Sequence, residues 1–406
     1  MRIWRLFGIC ALGMVLAFTV DLSTPAQTTC EPPPSLAIKS FPDRPIALLG
    51  LAPQAVAVAD FNRDGFLDFV VSYLRCDPQY RALDPLGCGE EDRNGRVALF
   101  LGQETGFLSA ERAARVPVGE SPRFLTVGDF NRDCFLDLAV ANLGAPAGRG
   151  SLSILLNNRE GSFVSARPLS LEGNARGIVS GDFNKDGHLD LAVVISSRRL
   201  VTVLLGDGRG RFDSSFDLAT GPGPQTIATG DLNNDGFFDL ATANSSSSES
   251  VTILLNDQRG DFQAGAPLAA DDSPFDLAMG DLNGDGSLDI VTAHAAATDS
   301  LWVWLGDGTG KFSFKERFPA GTDPIRVLLA DMNADGSLDA LSVNGSANQI
   351  NILLGDGQGN LGAPRAIETG QTPVAAALGD LNRDGLLDVI VPNQTSNDIS
   401  LWVQPR

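Results

Sequence analysis

The sequence has 406 residues, with 50 Asp and Glu against 30 Lys and Arg, and a formal net charge of −20 at pH 7. So acidic a chain lacks the basic face that nucleic acid or an anionic membrane surface requires, and its two histidines cannot assemble an imidazole-rich zinc site. A hydrophobic fraction of 43% excludes wholesale disorder, while 44 Gly and 23 Pro without any run of helical periodicity point to an all-β chain dense in turns.

Residues 1–26 read as a secretory signal. Arg2 and Arg5 form a basic start, residues 6–20 are apolar and uncharged, and small residues lead to a cleavage point after Ala26. An apolar stretch of 15 residues is short of the roughly 20 that span a bilayer. Export to the medium, periplasm or cell surface is expected, with no membrane insertion after cleavage. Cys10 leaves with the signal. The four remaining cysteines, Cys30, Cys76, Cys88 and Cys134, suit disulfides in an exported chain, and Cys76 and Cys88 flank a short polar loop as the obvious pair. Residues 27–37 form an N-terminal tail, and residues 38–406 read as one domain.

That domain is a repeat. The string D-x-N-x-D-G-x-x-D begins at Asp60, Asp129, Asp182, Asp231, Asp281, Asp331 and Asp380, in steps of 69, 53, 49, 50, 50 and 49 residues, with Cys134 in place of Gly in the second copy. Each period carries an apolar stretch before the motif (residues 227–230), one after it (290–293) and a third beyond a polar loop (201–205). A Gly-rich turn such as GDGRG at 206–210 follows, and then Phe107, Phe163, Phe212, Phe262 or Phe312 opens a fourth stretch, with Leu361 in the sixth period. Four short strands, A to D, in each of seven periods of roughly 50 residues predict a seven-bladed β-propeller of four-stranded blades. The aromatic of strand D stands 19 residues before the next motif Asp, and Phe41 stands 19 before Asp60. The N-terminal stretch therefore has the register of the fourth strand of the last blade and is expected to close the ring, removing its exposed edges.

Within the motif, positions 1, 3, 5 and 9 carry oxygen side chains in every copy. They are Asp60, Asn62, Asp64 and Asp68; Asp129, Asn131, Asp133 and Asp137; Asp182, Asn184, Asp186 and Asp190; Asp231, Asn233, Asp235 and Asp239; Asp281, Asn283, Asp285 and Asp289; Asp331, Asn333, Asp335 and Asp339; Asp380, Asn382, Asp384 and Asp388. Alternate residues of a tight loop converge on one point, and hard oxygen donors without Cys or His select calcium. The backbone carbonyl of Phe66 adds a further ligand. An EF-hand is excluded, because it needs Glu at position 12, where the first copy has Val71. Up to seven ions would bring the net charge from −20 to −6 and relieve the repulsion among the carboxylates, so calcium is expected to stabilise the fold rather than switch it. The GDGxG strings resemble phosphate loops but join two strands, so they read as hairpin turns. Trp302 and Trp304 read as core packing, one ring on each face of the sheet.

Seven such motifs between strands, each followed by a Gly-rich turn, resemble the FG-GAP/VCBS repeat of integrin alpha-chain propellers and many bacterial exported proteins. The resemblance implies calcium in the A–B loops. It implies no single activity, since the family includes adhesion proteins, lectin-like binders and noncatalytic parts of enzymes.

The A–B and C–D loops share one face of such a ring, so the B–C and D–A loops form the other, variable face. The B–C loop of the first blade, residues 74–94, carries Cys76, Cys88, Tyr80 and Arg81 and reads as a binding loop. Six residues before each motif stand Gln54, Arg123, Arg176, Gln225, Phe275, Ile325 and Val374. They make the channel mouth polar in blades 1 to 4 and apolar in blades 5 to 7, a funnel suited to a small polar or anionic ligand. A monomeric binding or adhesion module for a protein or carbohydrate is the expectation. The alternative is an extracytoplasmic enzyme acting on polysaccharide at the same face, but His188 and His294 stand alone and no Ser/His/Asp arrangement is visible. A Cys30–Cys134 disulfide is also expected. The 11 residues from Cys30 to Phe41 reach about 35 Å when extended, enough to tie the tail across the calcium face at the expense of the second site.

Overall fold

The computed structural model describes residues 46–47, 50–76, 94–104, 106–107, 114–145, 149–246, 249–257, 261–269, 274–295 and 298–404. Their strands form seven blade sheets, antiparallel throughout, and no helix long and apolar enough to cross a membrane occurs among them. Blade 3 shows the plan. Strands Ala175–Gly181, Asp190–Ile195, Leu200–Leu205 and Ser214–Ala219 pair in chain order. Strand B, a β-branched run reading DLAVVI, is buried at every residue, because the neighbouring blades cover both its faces. Strand D alternates between exposed and half-buried residues and forms the outer edge. Strand A lies innermost, and the A strands of all seven blades line a central channel.

Neighbouring blades share cores. Phe130 and Ile154 of blade 2 pack with Val193 and Phe212 of blade 3. Val56, Val58 and Phe69 of blade 1 pack with Ala377, Ile390 and Ile399 of blade 7, so the first and last blades meet. The seventh sheet consists of Ala377–Gly379, Asp388–Asn393 and Asp398–Trp402, with Ile46–Ala47 outermost and Ile46 opposite Ile399. Phe41, whose spacing sets that register, lies outside the described residues.

Two expectations need correction. Phe163, Phe262 and Phe312 do open strand D in blades 2, 4 and 5, but strand D of blade 3 starts at Ser214. Phe212 instead turns inward, edge-on to Phe130 with ring centroids 5.7 Å apart. In blade 1, Phe107 belongs to a small separate hairpin, and strand D is Ala114–Glu120. Trp302 and Trp304 do not occupy opposite faces. Residues two apart on a strand share a face, and both rings lie in the core between blades 4 and 5, with centroids 6.4 Å apart.

Candidate functional site

Each acidic loop is folded by its own side chains. In blade 4, Asp231 accepts the N–H of Asp235 at 3.1 Å and of Gly236 at 2.8 Å. Asn233 accepts Asp235 N–H at 3.1 Å, and Asp235 accepts Phe237 N–H at 2.9 Å. The same pattern recurs around Asp60, Asn62 and Asp64, where Phe66 supplies the last amide. It recurs around Asp129, Asn131 and Asp133 and around Asp182, Asn184 and Asp186. Asp281, Asn283 and Asp285 repeat it, as do Asp331, Asn333 and Asp335 and then Asp380, Asn382 and Asp384. The backbone is left-handed at position 6, as the glycines require: Gly236 has φ 85° and Cys134 is forced to 68°. It is also left-handed at position 4, from Arg63 to Arg383, which the sequence does not signal.

Position 9 does more than the sequence suggests. Asp68, Asp137, Asp190, Asp239, Asp289, Asp339 and Asp388 are buried, and each carboxylate clamps two backbone amides. Asp190 accepts Phe183 N–H at 3.0 Å and Gly206 N–H at 2.8 Å, joining the motif to the end of strand C. The other six make the same clamp. Burial pushes these carboxyls up, to about 8 for Asp68, about 7 for Asp137 and Asp239, and about 6 for Asp190, Asp289 and Asp388, although the amides pull the other way.

The donor set fits a hard divalent cation. Among the described residues no three such side chains form a preformed metal cluster. Each amide nevertheless occupies one lone pair of a carboxylate oxygen that has two, and a desolvated carboxylate beside two others needs a counter-charge. Blade 2 departs from the pattern. There Arg159 forms an ion pair with Asp133 at 3.0 Å, so a guanidinium already supplies positive charge at the loop that carries Cys134.

The loops are also tied from blade to blade. The carbonyl at motif position 2 accepts a hydrogen bond from the following blade in two interchangeable ways. Where strand C ends in an amide side chain, that side chain donates: Asn157 to Phe61, Asn256 to Phe183 and Gln404 to Met332, each at 2.7 Å. Where it ends in GDGxG, the last glycine donates its N–H: Gly210 to Phe130 at 2.9 Å, Gly310 to Leu232 at 3.0 Å and Gly359 to Leu282 at 3.1 Å. The first glycine of that turn has no room for a side chain, since a Cβ on Gly206 would stand 2.1 Å from the Leu189 carbonyl. Cations add to these ties: Lys185 lies 3.7 Å from the Phe237 ring and Arg383 4.2 Å from the Phe66 ring.

The far end of strand A builds a different site. A cavity of about 90 Å³ lies in the channel. Its lining includes the residue five places before each motif: Ala55, Phe124, Gly177, Thr226, Asp276, Arg326 and Ala375. The expected offset of six captures Gln54 and Arg123, which also line the cavity, but it misses Asp276 and Arg326. Blades 5 and 6 are therefore charged at this level, not apolar. In blades 2 and 6 a β-bulge at the start of strand A, between Pro122 and Phe124 and between Pro324 and Arg326, re-aims neighbouring side chains; in blade 5 the pairing is regular and Asp276 opens the strand opposite Ala293.

Arg123 donates to Gln54 at 2.7 Å and Arg176 to Gln225. The Arg326 guanidinium of blade 6 lies 4.5 Å from the Phe124 ring of blade 2, across the channel. Burial lowers the pKa of all three arginines, and Arg176 is lowered further by Arg123 and Arg326. Burial raises the Asp276 carboxyl, and nearby Arg326 opposes that shift. Tyr80, Arg81, Cys30 and Cys88 lie outside the described residues, as does nearly all of the 74–94 loop.

These features define a seven-bladed β-propeller with one repeated acidic face and one individual face. The FG-GAP-like repeat family matches residues 129–193, 182–242, 235–292, 281–342 and 331–391, and the chain belongs to that family. No curated protein matches it. Among solved structures, BBS1N in complex with ARL6DN, soaked with lead, is similar at 13% identity and a TM-score of 0.59 over 89% of this chain and 95% of that one. The Pseudomonas aeruginosa periplasmic gluconolactonase PpgL is similar at 18% identity and a TM-score of 0.57 over 89% of each chain. An Agrocybe aegerita lectin specific for non-reducing terminal N-acetylglucosamine follows at 15% and 0.50 over 86% and 85%. Identities this low speak to the fold alone.

Proposed function

We propose that this protein is an exported, calcium-stabilised propeller that acts as a monomeric binding or adhesion module, taking a protein or carbohydrate ligand on the face opposite the acidic loops. The observation that carries this reading is the contrast between the ends of strand A. One end repeats a single loop seven times, whereas the other gathers Arg123, Arg176, Arg326 and Asp276 from four different blades. Repetition serves the frame and individuality serves recognition.

Calcium would be held by positions 1, 3, 5 and 9 and the position-7 carbonyl, Phe66 in blade 1, in six loops. In the second, Arg159 and Cys134 take its place. Cys134 is disulfide-bonded, and Cys30 is the partner we propose for it. An enzyme acting on polysaccharide draws less support. His294 is buried between Thr292 and Trp302, at a strand-B position that Asn142, Asn244, Asn344 and Asn393 hold in other blades.

A glycan array and a pull-down from cell envelope, run with wild type and with Arg123→Ala/Arg176→Ala, test the binding role. Retention of a ligand by wild type and its loss in the double variant is the expected result. A wild type that retains nothing, or a ligand held equally well by the double variant, would overturn it.

A further inference from the structure

We infer that the channel cavity seats one oxyanion, the carboxylate, sulfate or phosphate of a small ligand, held by Arg123, Arg176 and Arg326. The inference rests on the ligand face proposed above and names the chemistry which that face selects.

Charge comes first. Arg123, Arg326 and Asp276 line the cavity, and Arg176 stands outside that lining but close enough for the charges of Arg123 and Arg326 to act on it, so three guanidiniums share one carboxylate in a chain whose net charge is −20. With acids in such excess, elsewhere in the chain Arg159 and Arg198 find Asp133 and Glu172. Like charges held together out of water cost stability, and such an arrangement persists where a ligand uses it.

Construction comes second. Arg123 and Arg176 are positioned by neutral acceptors, Gln54 and Gln225, which fix the guanidiniums without cancelling their charge. The glutamines are themselves anchored. Gln54 donates to the carbonyls of Ala52 and Pro53 at 3.0 Å, and Gln225 donates to Ser245 at 2.8 Å and to the Gly223 carbonyl at 3.2 Å. No acceptor among the described residues reaches the buried Nε of Arg123 or Arg176. Arg326 spans the channel onto Phe124 and forms the floor, and Asp276, which accepts Val327 N–H at 3.0 Å, steadies it from blade 5.

Size and surroundings come third. About 90 Å³ is several times the roughly 10–15 Å³ that one water needs, enough to seat one oxyanion head. The forked donors of arginine match the planar or tetrahedral oxygens of such a head. The rest of the ligand would leave through the mouth past Phe275, a residue of the D–A loop that is 36% exposed.

The test is calorimetric titration and thermal unfolding of the mature protein with sodium sulfate, sodium phosphate and sodium galacturonate. Sodium chloride at matched ionic strength and neutral galactose serve as controls. Saturable binding of at least one oxyanion is expected, with no response to galactose, and the tightest of the three salts identifies the source. Arg123→Gln and Arg176→Gln should each weaken binding about tenfold or more, while the melting temperature without anion stays level or rises because a repelling charge is gone. No saturable response to any of the three salts would overturn the inference. Unchanged affinity in the double variant would do the same, and so would variants that lose stability together with binding.

The two proposals fail separately. Glycan or envelope-protein retention by a wild type that ignores all three salts removes the oxyanion seat and leaves the binding module. Saturable salt binding without any retained macromolecule supports the seat and removes the module.

Discussion

At one end of strand A, seven loops repeat the same hydrogen bonds residue for residue. At the other, the equivalent positions hold Ala, Phe, Gly, Thr, Asp, Arg and Ala. The first end is legible as a frame because its Asp and Asn side chains at positions 1, 3, 5 and 9 bond to backbone amides of their own blade. The second is legible as a site because its charges do not balance. A propeller thus divides its work along the length of one strand, and each end can be perturbed while the other serves as control.

The largest single-residue effect is expected at the frame. Asp190→Ala orphans two buried amides and should cost about 3–5 kcal/mol, measured as a shift in the denaturant midpoint, whereas Arg176→Gln at the other end should cost nothing. Comparable losses at the two sites would erase the distinction.

The same carboxylates set a pH dependence in chelated protein. Their folded pKa values, about 6 to 8 in six of the seven blades, lie above the ordinary 3.8, so the folded state binds more protons than the unfolded chain. Stability contributed by these groups is then full below about pH 4 and declines as pH rises through about 6 to 8. Urea midpoints with chelator should be lower at pH 7.5 than at pH 5, and saturating calcium should flatten or reverse that order. A chelated protein that gains stability with pH contradicts the assignment.

A smaller loss, about 1–3 kcal/mol, is expected for Asn256→Ala, which strips the Phe183 carbonyl of its partner at the junction of blades 3 and 4. The smallest concerns the cation on the Phe237 ring: Lys185→Ala should cost about 0.5–1 kcal/mol. A greater loss for Lys185→Ala than for Asn256→Ala would invert this order of inter-blade ties.

The frame can be read from sequence because it repeats. The motif, its period and the strand order all recur often enough to be aligned by eye, and Asp68 and its six counterparts are visible as oxygen donors. Their second role, clamping the end of strand C, is not, because it depends on a partner such as Gly102 that lies 34 residues away. The GDGxG strings read as turns, but their bond to the preceding blade exists only in three dimensions. At the individual face, a constant offset from the motif finds Arg123 and misses Arg326 for one reason. A single offset assumes that only alternate residues of the strand face the channel, and the bulge at Pro122–Phe124 and at Pro324–Arg326 interrupts that alternation.

That the repeated face is a metal-held frame is the central claim. Scanning calorimetry of the mature protein with calcium, and again with excess chelator, tests it most directly. A large fall in melting temperature on chelation, restored by calcium and poorly by magnesium, which demands tight octahedral geometry, is the expected result; equal melting temperatures with and without calcium would contradict the claim.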